Sequence, residues 1–193
     1  MNKLVWIIGM RRSGTSLLRE LINSHPEVNT ILFEPHELLF TVQSIHIKRY
    51  SNNPYHLQTM EKFNQDNGKW HGAKVALNAG IEAMNWKWLD EKFNKPKYIF
   101  IQRDPSHTYQ SWIDNETSKR CICSYEMYLP WYKHINNSFE EFVKNNLDRS
   151  CIINYERLVI DVNREINKAW SILGLNPINS LANKIRKPNN WSE

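Results

Sequence analysis

The stretch Leu4–Val28, LVWIIGMRRSGTSLLRELINSHPEV, decides how the rest of the chain is read. Its apolar run Leu4–Ile8 has the length and composition of a buried strand. Gly9-Met10-Arg11-Arg12-Ser13-Gly14-Thr15-Ser16 then turns, and a helical pattern runs from Ser16 to Ser24 until His25-Pro26 breaks it. Strand, loop and helix in that order aim backbone N–H groups and the positive end of a helix at one point, which makes an anion site. Gly9 and Gly14 permit tight curvature, Arg11 and Arg12 add charge, and Ser13, Thr15 and Ser16 add hydroxyl donors.

The glycine spacing is that of a phosphate-binding loop, with Thr15 where nucleotide-hydrolysing versions carry Lys. That Lys reaches the outer phosphates of a nucleoside triphosphate. Its absence argues against an ordinary ATPase or kinase and leaves Arg12 as the cation inside the loop. R-S-G-T-S followed by L-L-R-E-L-I-N-S-H-P-E-V resembles the 5′-phosphosulfate loop and first helix of sulfotransferases, enzymes that use 3′-phosphoadenosine 5′-phosphosulfate (PAPS). The resemblance implies that Arg12, Ser13, Gly14, Thr15 and Ser16 hold the 5′-phosphosulfate. Arg11 stands where that family usually has Pro.

The chain has 193 residues, enough for one core and too few for two comfortable domains. A formal net charge of +5 suits a polyanionic small molecule or a nucleic acid. The basic residues are scattered, apart from Lys184-Ile185-Arg186-Lys187, so a small anion is favoured and no nucleic acid is expected. Eight Trp and eight Tyr either line a substrate cleft or pack the core, and packing is the commoner use. Cys121, Cys123 and Cys151 have poor zinc spacing and fit free thiols in a reducing compartment. No signal-peptide order opens the sequence, and Leu4–Ile8 is too short to span a bilayer. The expectation is a soluble, cytoplasmic protein with no metal.

Beyond the first helix, Asn29–Phe33 reads as a second strand ending at Glu34-Pro35. A carboxylate at the carboxyl end of such a strand is placed for chemistry, so Glu34 is the first candidate general base. His36 and Glu37 are its alternatives, and a Glu here also serves as a helix cap or an ion-pair partner. F-E-P after H-P-E-V resembles sulfotransferase branches in which Glu deprotonates the acceptor hydroxyl. Residues 36–62 read as two helices around Ser51-Asn52-Asn53-Pro54, forming part of an acceptor cleft.

Trp70–Leu77 reads as a strand with Lys74 inside an otherwise small and apolar run, leading to a helix over Ala79–Phe93. An isolated Lys there either snorkels to the surface or points at an anion. The run resembles the K-T-P or K-D-P element of sulfotransferases, with Val75 and Ala76 departing from it. In the tyrosylprotein branch the corresponding Lys stabilises charge on the sulfonate, which the resemblance carries to Lys74.

Lys97–Gln102 reads as a strong strand, followed by Arg103-Asp104-Pro105 and a helix from Ser106 to about Glu116. Arg103 either forks onto a phosphate with Ser111, two turns along, or pairs with Asp104 in a structural turn. Arg-x-Pro with Ser eight residues after the Arg resembles the 3′-phosphate site of sulfotransferases. Lys119–Trp131 reads as an insertion or lid, Asn136–Leu147 as a helix and Cys151–Asn154 as the last strand. Tyr155-Glu156-Arg157-Leu158-Val159 resembles the R-Y-E-D-L element, which implies that Tyr155 contacts the nucleotide. Arg157 stands where an acid is usual. A helix over Asn163–Leu173 closes at Gly174. The tail, KIRKPNNW, resembles the K-P-x-N loop over the 3′-phosphate end and singles out Lys187, with Arg186 beside it.

These motifs imply one α/β domain over residues 1–193, with three layers and a mostly parallel sheet flanked by helices, the P-loop-type sulfotransferase fold. The expected function is sulfonate transfer from PAPS to an acceptor hydroxyl or amine, leaving 3′-phosphoadenosine 5′-phosphate (PAP). Glu34 is expected as base, and Arg12 and Lys74 as charge stabilisers. Arg103, Ser111, Tyr155 and Lys187 join the loop in holding the nucleotide. The alternatives are a nucleotide-dependent phosphotransferase and a non-catalytic PAP- or nucleic-acid-binding protein. Small-molecule, carbohydrate, lipid and peptide acceptors all stay open.

Overall fold

The computed structural model describes residues 3–33, 68–77, 86–115 and 123–178. Strand β1 (Leu4–Met10) is buried along its whole length. Its side chains alternate between two cores, as the period-two geometry of a strand requires. Leu4, Trp6, Ile8 and Met10 join one core, while Val5 and Ile7 join the other. A strand apolar on both faces belongs in the middle of a covered parallel sheet.

Around it lie α1 (Thr15–Asn23), β2 (Val28–Phe33), β3 (Trp70–Leu77), α2 (Trp86–Phe93) and β4 (Lys97–Gln102). The chain continues through α3 (Pro105–Asn115), α4 (Tyr125–Lys144), β5 (Ser150–Asn154), α5 (Tyr155–Ile160) and α6 (Val162–Ile172). The five strands pair in the order β2-β3-β1-β4-β5, and every pairing is parallel. Helices α2 and α4 cover one face, and α1, α5 and α6 cover the other, giving three layers. The chain leaves β1 toward one edge and β4 toward the other. A crevice therefore opens between the carboxyl ends of these neighbours, where open α/β sheets bind ligands.

The lid expected over 119–131 is corrected where the structure describes it. Residues 125–131 are the first turns of α4, a helix of 20 residues that runs through Pro130. An interior proline costs a helix about 3 kcal/mol. Here Tyr128, Tyr132, Ile135, Phe139 and Phe142 form one buried face of the same helix. Phe139 stacks on Phe100 of β4 at 4.5 Å. Each buried apolar side chain is worth about 1.5–3 kcal/mol, so the face outweighs the proline. Tyr155–Ile160 is also helical, begun by the Asn154 side chain accepting the Arg157 N–H at 2.8 Å.

Two clusters fix the layers away from the crevice. At the amino ends of the strands, Arg149 donates to both Asp90 oxygens at 2.7 Å, and the Tyr98 hydroxyl donates to Asp90 Oδ1 at 3.0 Å. Burial first, then the Asp90 charge, raises the Tyr98 hydroxyl well above its ordinary range. On the other face, His25 Nδ1 accepts the Glu27 N–H at 3.1 Å. Its Nε2 is therefore the donor to the Asn176 carbonyl, at 3.1 Å. The His-Pro break is thus tied to the chain after α6.

Candidate active site

The loop between β1 and α1 is held by its own backbone. The Arg11 N–H donates to the Leu77 carbonyl at 2.7 Å, joining the loop to the end of β3. The Ser13 N–H donates to the Met10 carbonyl at 3.0 Å. Arg12 adopts φ 70°, and Gly14, the N-cap of α1, adopts φ 99°. No side chain caps α1, and its first turn holds no acidic residue. The helix thus presents its positive end to the crevice.

The two loop glycines have steric reasons. A Cβ on Gly9 would lie 2.5 Å from Ser13 Oγ and 2.6 Å from Ile101 Cγ2. A Cβ on Gly14 would lie 2.4 Å from the Tyr155 ring. The first contact also shows where Ser13 goes. Its side chain is fully buried beneath the loop, and its hydroxyl has no hydrogen-bond partner there. Ser13 shapes the floor of the loop, whereas the sequence reading counted it among the donors facing the ligand.

Above the loop lies a cavity of about 390 Å³. Arg11, Arg12, Gly14, Thr15, Ser16 and Leu17 line it from the loop and α1. Lys74 and Ala76 line it from β3, Arg103 and Ser111 from the β4–α3 segment, and Tyr155 from the start of α5. Lys74 reaches it by strand parity. Ala73, Val75 and Leu77 enter the core under α2 and α4, so Lys74 and Ala76 point the other way, beneath α1. The Lys74 side chain is buried, and its ammonium donates to Ser16 Oγ at 3.2 Å. Four cationic residues therefore line one cavity, and among the described residues no carboxylate lines it.

Arg103 follows β4 and joins both halves of the site. Its Nη1 donates to the Arg12 carbonyl at 3.0 Å, and its guanidinium lies 4.5 Å above the Tyr155 ring. Its Nε is buried without a hydrogen-bond partner. The alternative of an Arg103–Asp104 pair is not what forms. Asp104 caps α3 instead, accepting the Ser106 N–H at 2.9 Å and the His107 N–H at 3.1 Å. The Ser106 hydroxyl also donates to it, and this bond is the largest cause of a carboxyl held below its usual range. Pro105 at the first helical position suits that start.

Glu34, its alternatives His36 and Glu37, and Lys187 with Arg186 lie outside the described residues. Sequence reasoning missed two supports. The Tyr132 hydroxyl donates to the Arg103 carbonyl, and Glu156 Oε1 accepts the Asp104 N–H at 2.9 Å. The aromatic spacing Tyr125, Tyr128, Tyr132 was a helical signal that Pro130 obscured. Cys123 and Cys151 are free, and burial pushes the Cys151 thiol up to about 12. Among the described residues no group of three or more His, Cys, Asp or Glu side chains is placed to hold a metal ion, and no helix is long and apolar enough to cross a membrane.

A family model for the sulfotransferase domain matches residues 2–190. The chain belongs to the sulfotransferase family. Among solved structures, this sulfotransferase chain is similar to a sulfotransferase from Alicyclobacillus acidocaldarius, at 15% identity over 96% of this chain and 86% of that one, TM-score 0.64. It is also similar to the sulfotransferase domain of the Synechococcus PCC 7002 olefin synthase, at 17% identity over 96% and 81% of the two chains, TM-score 0.63. A mouse sulfotransferase complexed with PAP matches at 18% identity over 95% of this chain and 63% of its own, TM-score 0.59. These structural likenesses are likenesses of fold. No curated protein matches the sequence at a significant level.

Proposed function

We propose that this sulfotransferase chain, acting as a single domain, moves a sulfonate group from PAPS to an acceptor hydroxyl or amine. The observation that carries the reading is the meeting of two anion grips in one cavity. The uncapped α1 terminus with Arg12, Thr15 and Ser16 is one, and Arg103 with Ser111 is the other. The buried Nε of Arg103 is a donor awaiting an acceptor, and the cavity is cationic, so the residues present fit a nucleotide with phosphates at both ends. The first grip would hold the 5′-phosphosulfate and the second the 3′-phosphate, with Tyr155 beside the nucleotide and Lys187 closing over it. PAPS, when bound, supplies an activated sulfonate on a phosphate leaving group.

The chain's own residues then divide the work. Arg12 and Lys74 stabilise negative charge that grows on the sulfonate and the leaving phosphate. Burial of Lys74 strengthens its field at the cavity, since little water screens it. Glu34 takes the acceptor proton. It directly follows Phe33, whose backbone pairs in register with Lys74. A cytoplasmic setting belongs to the same reading, and cell fractionation checks it.

Calorimetry with PAP, ATP with magnesium, and a generic oligonucleotide tests the reading. PAP is expected to bind tightest. Tight ATP binding without PAP binding would move the chain to the phosphotransferases, and oligonucleotide binding with a steep salt slope would make it a nucleic-acid binder. PAP release against a library of phenols, sugars, lipids and tyrosine peptides identifies the acceptor. With that acceptor, Glu34→Gln is expected to cut turnover by roughly a hundred-fold or more while PAP binding holds. Unchanged turnover removes Glu34 from the base role.

A further inference from the structure

Arg103 reaches the 5′ loop by two routes that a phosphate ligand does not need, one direct and one through Tyr155. Its Nη1 donates to the carbonyl of Arg12, the loop residue with φ 70°. An L residue adopts that conformation only when its surroundings hold it there. Its guanidinium also presses on the Tyr155 ring, and that ring packs so closely over Gly14 that no Cβ fits between them. Arg12 and Gly14 flank Ser13, whose side chain is locked beneath the loop. The loop is therefore held from below by packing and from the side by Arg103.

Arg103 is itself held. The Tyr132 hydroxyl donates to its carbonyl, and Tyr132 sits on the buried face of α4, on the opposite side of the sheet from α1. Burial, above all, pushes that hydroxyl up to about 12, so it stays a donor through the working pH range. A continuous run of contacts thus leads from Tyr132 through Arg103 to Arg12 and, by Tyr155, to Gly14.

We propose that Arg103 is a positioning residue for the Arg11–Ser16 loop, braced through its own carbonyl by Tyr132. One guanidinium presets the 5′ grip with Nη1 and keeps Nε for a ligand, so the two grips are coupled before any nucleotide arrives. The nucleotide part of the test rests on the PAPS reading above; the loop part does not.

Hydrogen–deuterium exchange on the ligand-free protein reads the loop directly. Arg103→Ala is expected to speed exchange of the Arg11 and Ser13 amides about ten-fold, and Tyr132→Phe about three-fold. The Tyr98 amide, bonded to the Arg149 carbonyl at the far end of β4, serves as the control and should not move. Tyr132→Phe keeps the ring packing, so it reports on the hydroxyl even where Arg103→Ala folds poorly. Unchanged loop exchange in both variants overturns the proposal, whatever the ligand turns out to be. Calorimetry then compares PAP with adenosine 5′-phosphosulfate, which lacks the 3′-phosphate. Arg103→Lys keeps the charge and loses the fork, and affinity for adenosine 5′-phosphosulfate is expected to fall by about ten-fold, with PAP falling by at least as much because it also loses the Nε contact. A loss confined to PAP would make Arg103 a 3′-phosphate ligand and nothing more, which also overturns the proposal. A wild-type protein that binds neither nucleotide defeats the PAPS reading alone, and the exchange experiment still decides the loop.

Discussion

Arg149 and Arg103 stand at opposite ends of one sheet and are treated in opposite ways. Both stack on aromatic rings: Arg149 lies 5.5 Å over Tyr98 and 5.0 Å over Phe142, and Arg103 lies 4.5 Å over Tyr155. Arg149 adds a two-point pair with Asp90 at 2.7 Å and bonds to Asn146 at 3.0 and 2.6 Å. Arg103 has one backbone carbonyl, one ring and a buried Nε with no acceptor. A guanidinium whose donors are filled by its own fold is structural. One left short of acceptors, in a cavity with no carboxylate among the described residues, raises the energy of the empty protein and makes an anion welcome. The difference lies in the neighbours, since the residue type and the stacking are the same.

The comparison breaks first if Arg149 proves dispensable. Arg149→Ala leaves Asp90 without its cation and is expected to cost about 3–5 kcal/mol in urea unfolding, with PAP affinity of the folded protein retained. At the other end, Gly14→Ala forces a side chain into φ 99° against the Tyr155 ring. It should cost roughly 2 kcal/mol of loop strain, read as about thirty-fold weaker PAP binding by calorimetry. Unchanged PAP affinity would show that the loop needs no such geometry. Arg103→Ala is expected to weaken PAP by about ten- to a hundred-fold while unfolding at a denaturant concentration nearer the wild type than Arg149→Ala does.

The smallest effect sharpens the contrast between arginine and its neighbour. Asp104 works for the fold, whereas Arg103 beside it lines the cavity. Its cap on α3 is worth about 1 kcal/mol, which Asp104→Ala should remove. Hydrogen bonds hold its folded-state value below 3.8, so the contribution is whole above that pH and fades as pH falls through the lowered value. Asp104→Asn should remove that part of the acid sensitivity in a thermal-melt series from pH 6 down to about pH 2.

Much of this was legible locally. The central strand showed itself by a run of apolar residues, and the turn by two glycines with arginines between them, because strand burial and tight curvature are properties of adjacent residues. Arg103 and Ser111 could be linked by counting, since eight residues make about two helical turns. Whether Asp104 pairs with Arg103 was open, and only the start of α3, whose Ser106 and His107 N–H groups donate to Asp104, answered it. Residues 125–131 misled because Pro130 is a local signal against helix. The stacking of Phe139 on Phe100, which favours one, joins residues far apart in the chain.

The sequence by itself determined that a β1–loop–α1 unit would gather backbone donors at one point, and that a second basic turn would end a later strand. Those are consequences of short-range geometry, where spacing is structure. Only the tertiary structure decided that Ser13 faces inward, that Lys74 lies under the helix, and that Tyr132 reaches the carbonyl of Arg103. Each depends on which strand lies beside which, and the order β2-β3-β1-β4-β5 follows from the packing of both cores at once, not from any single stretch of residues.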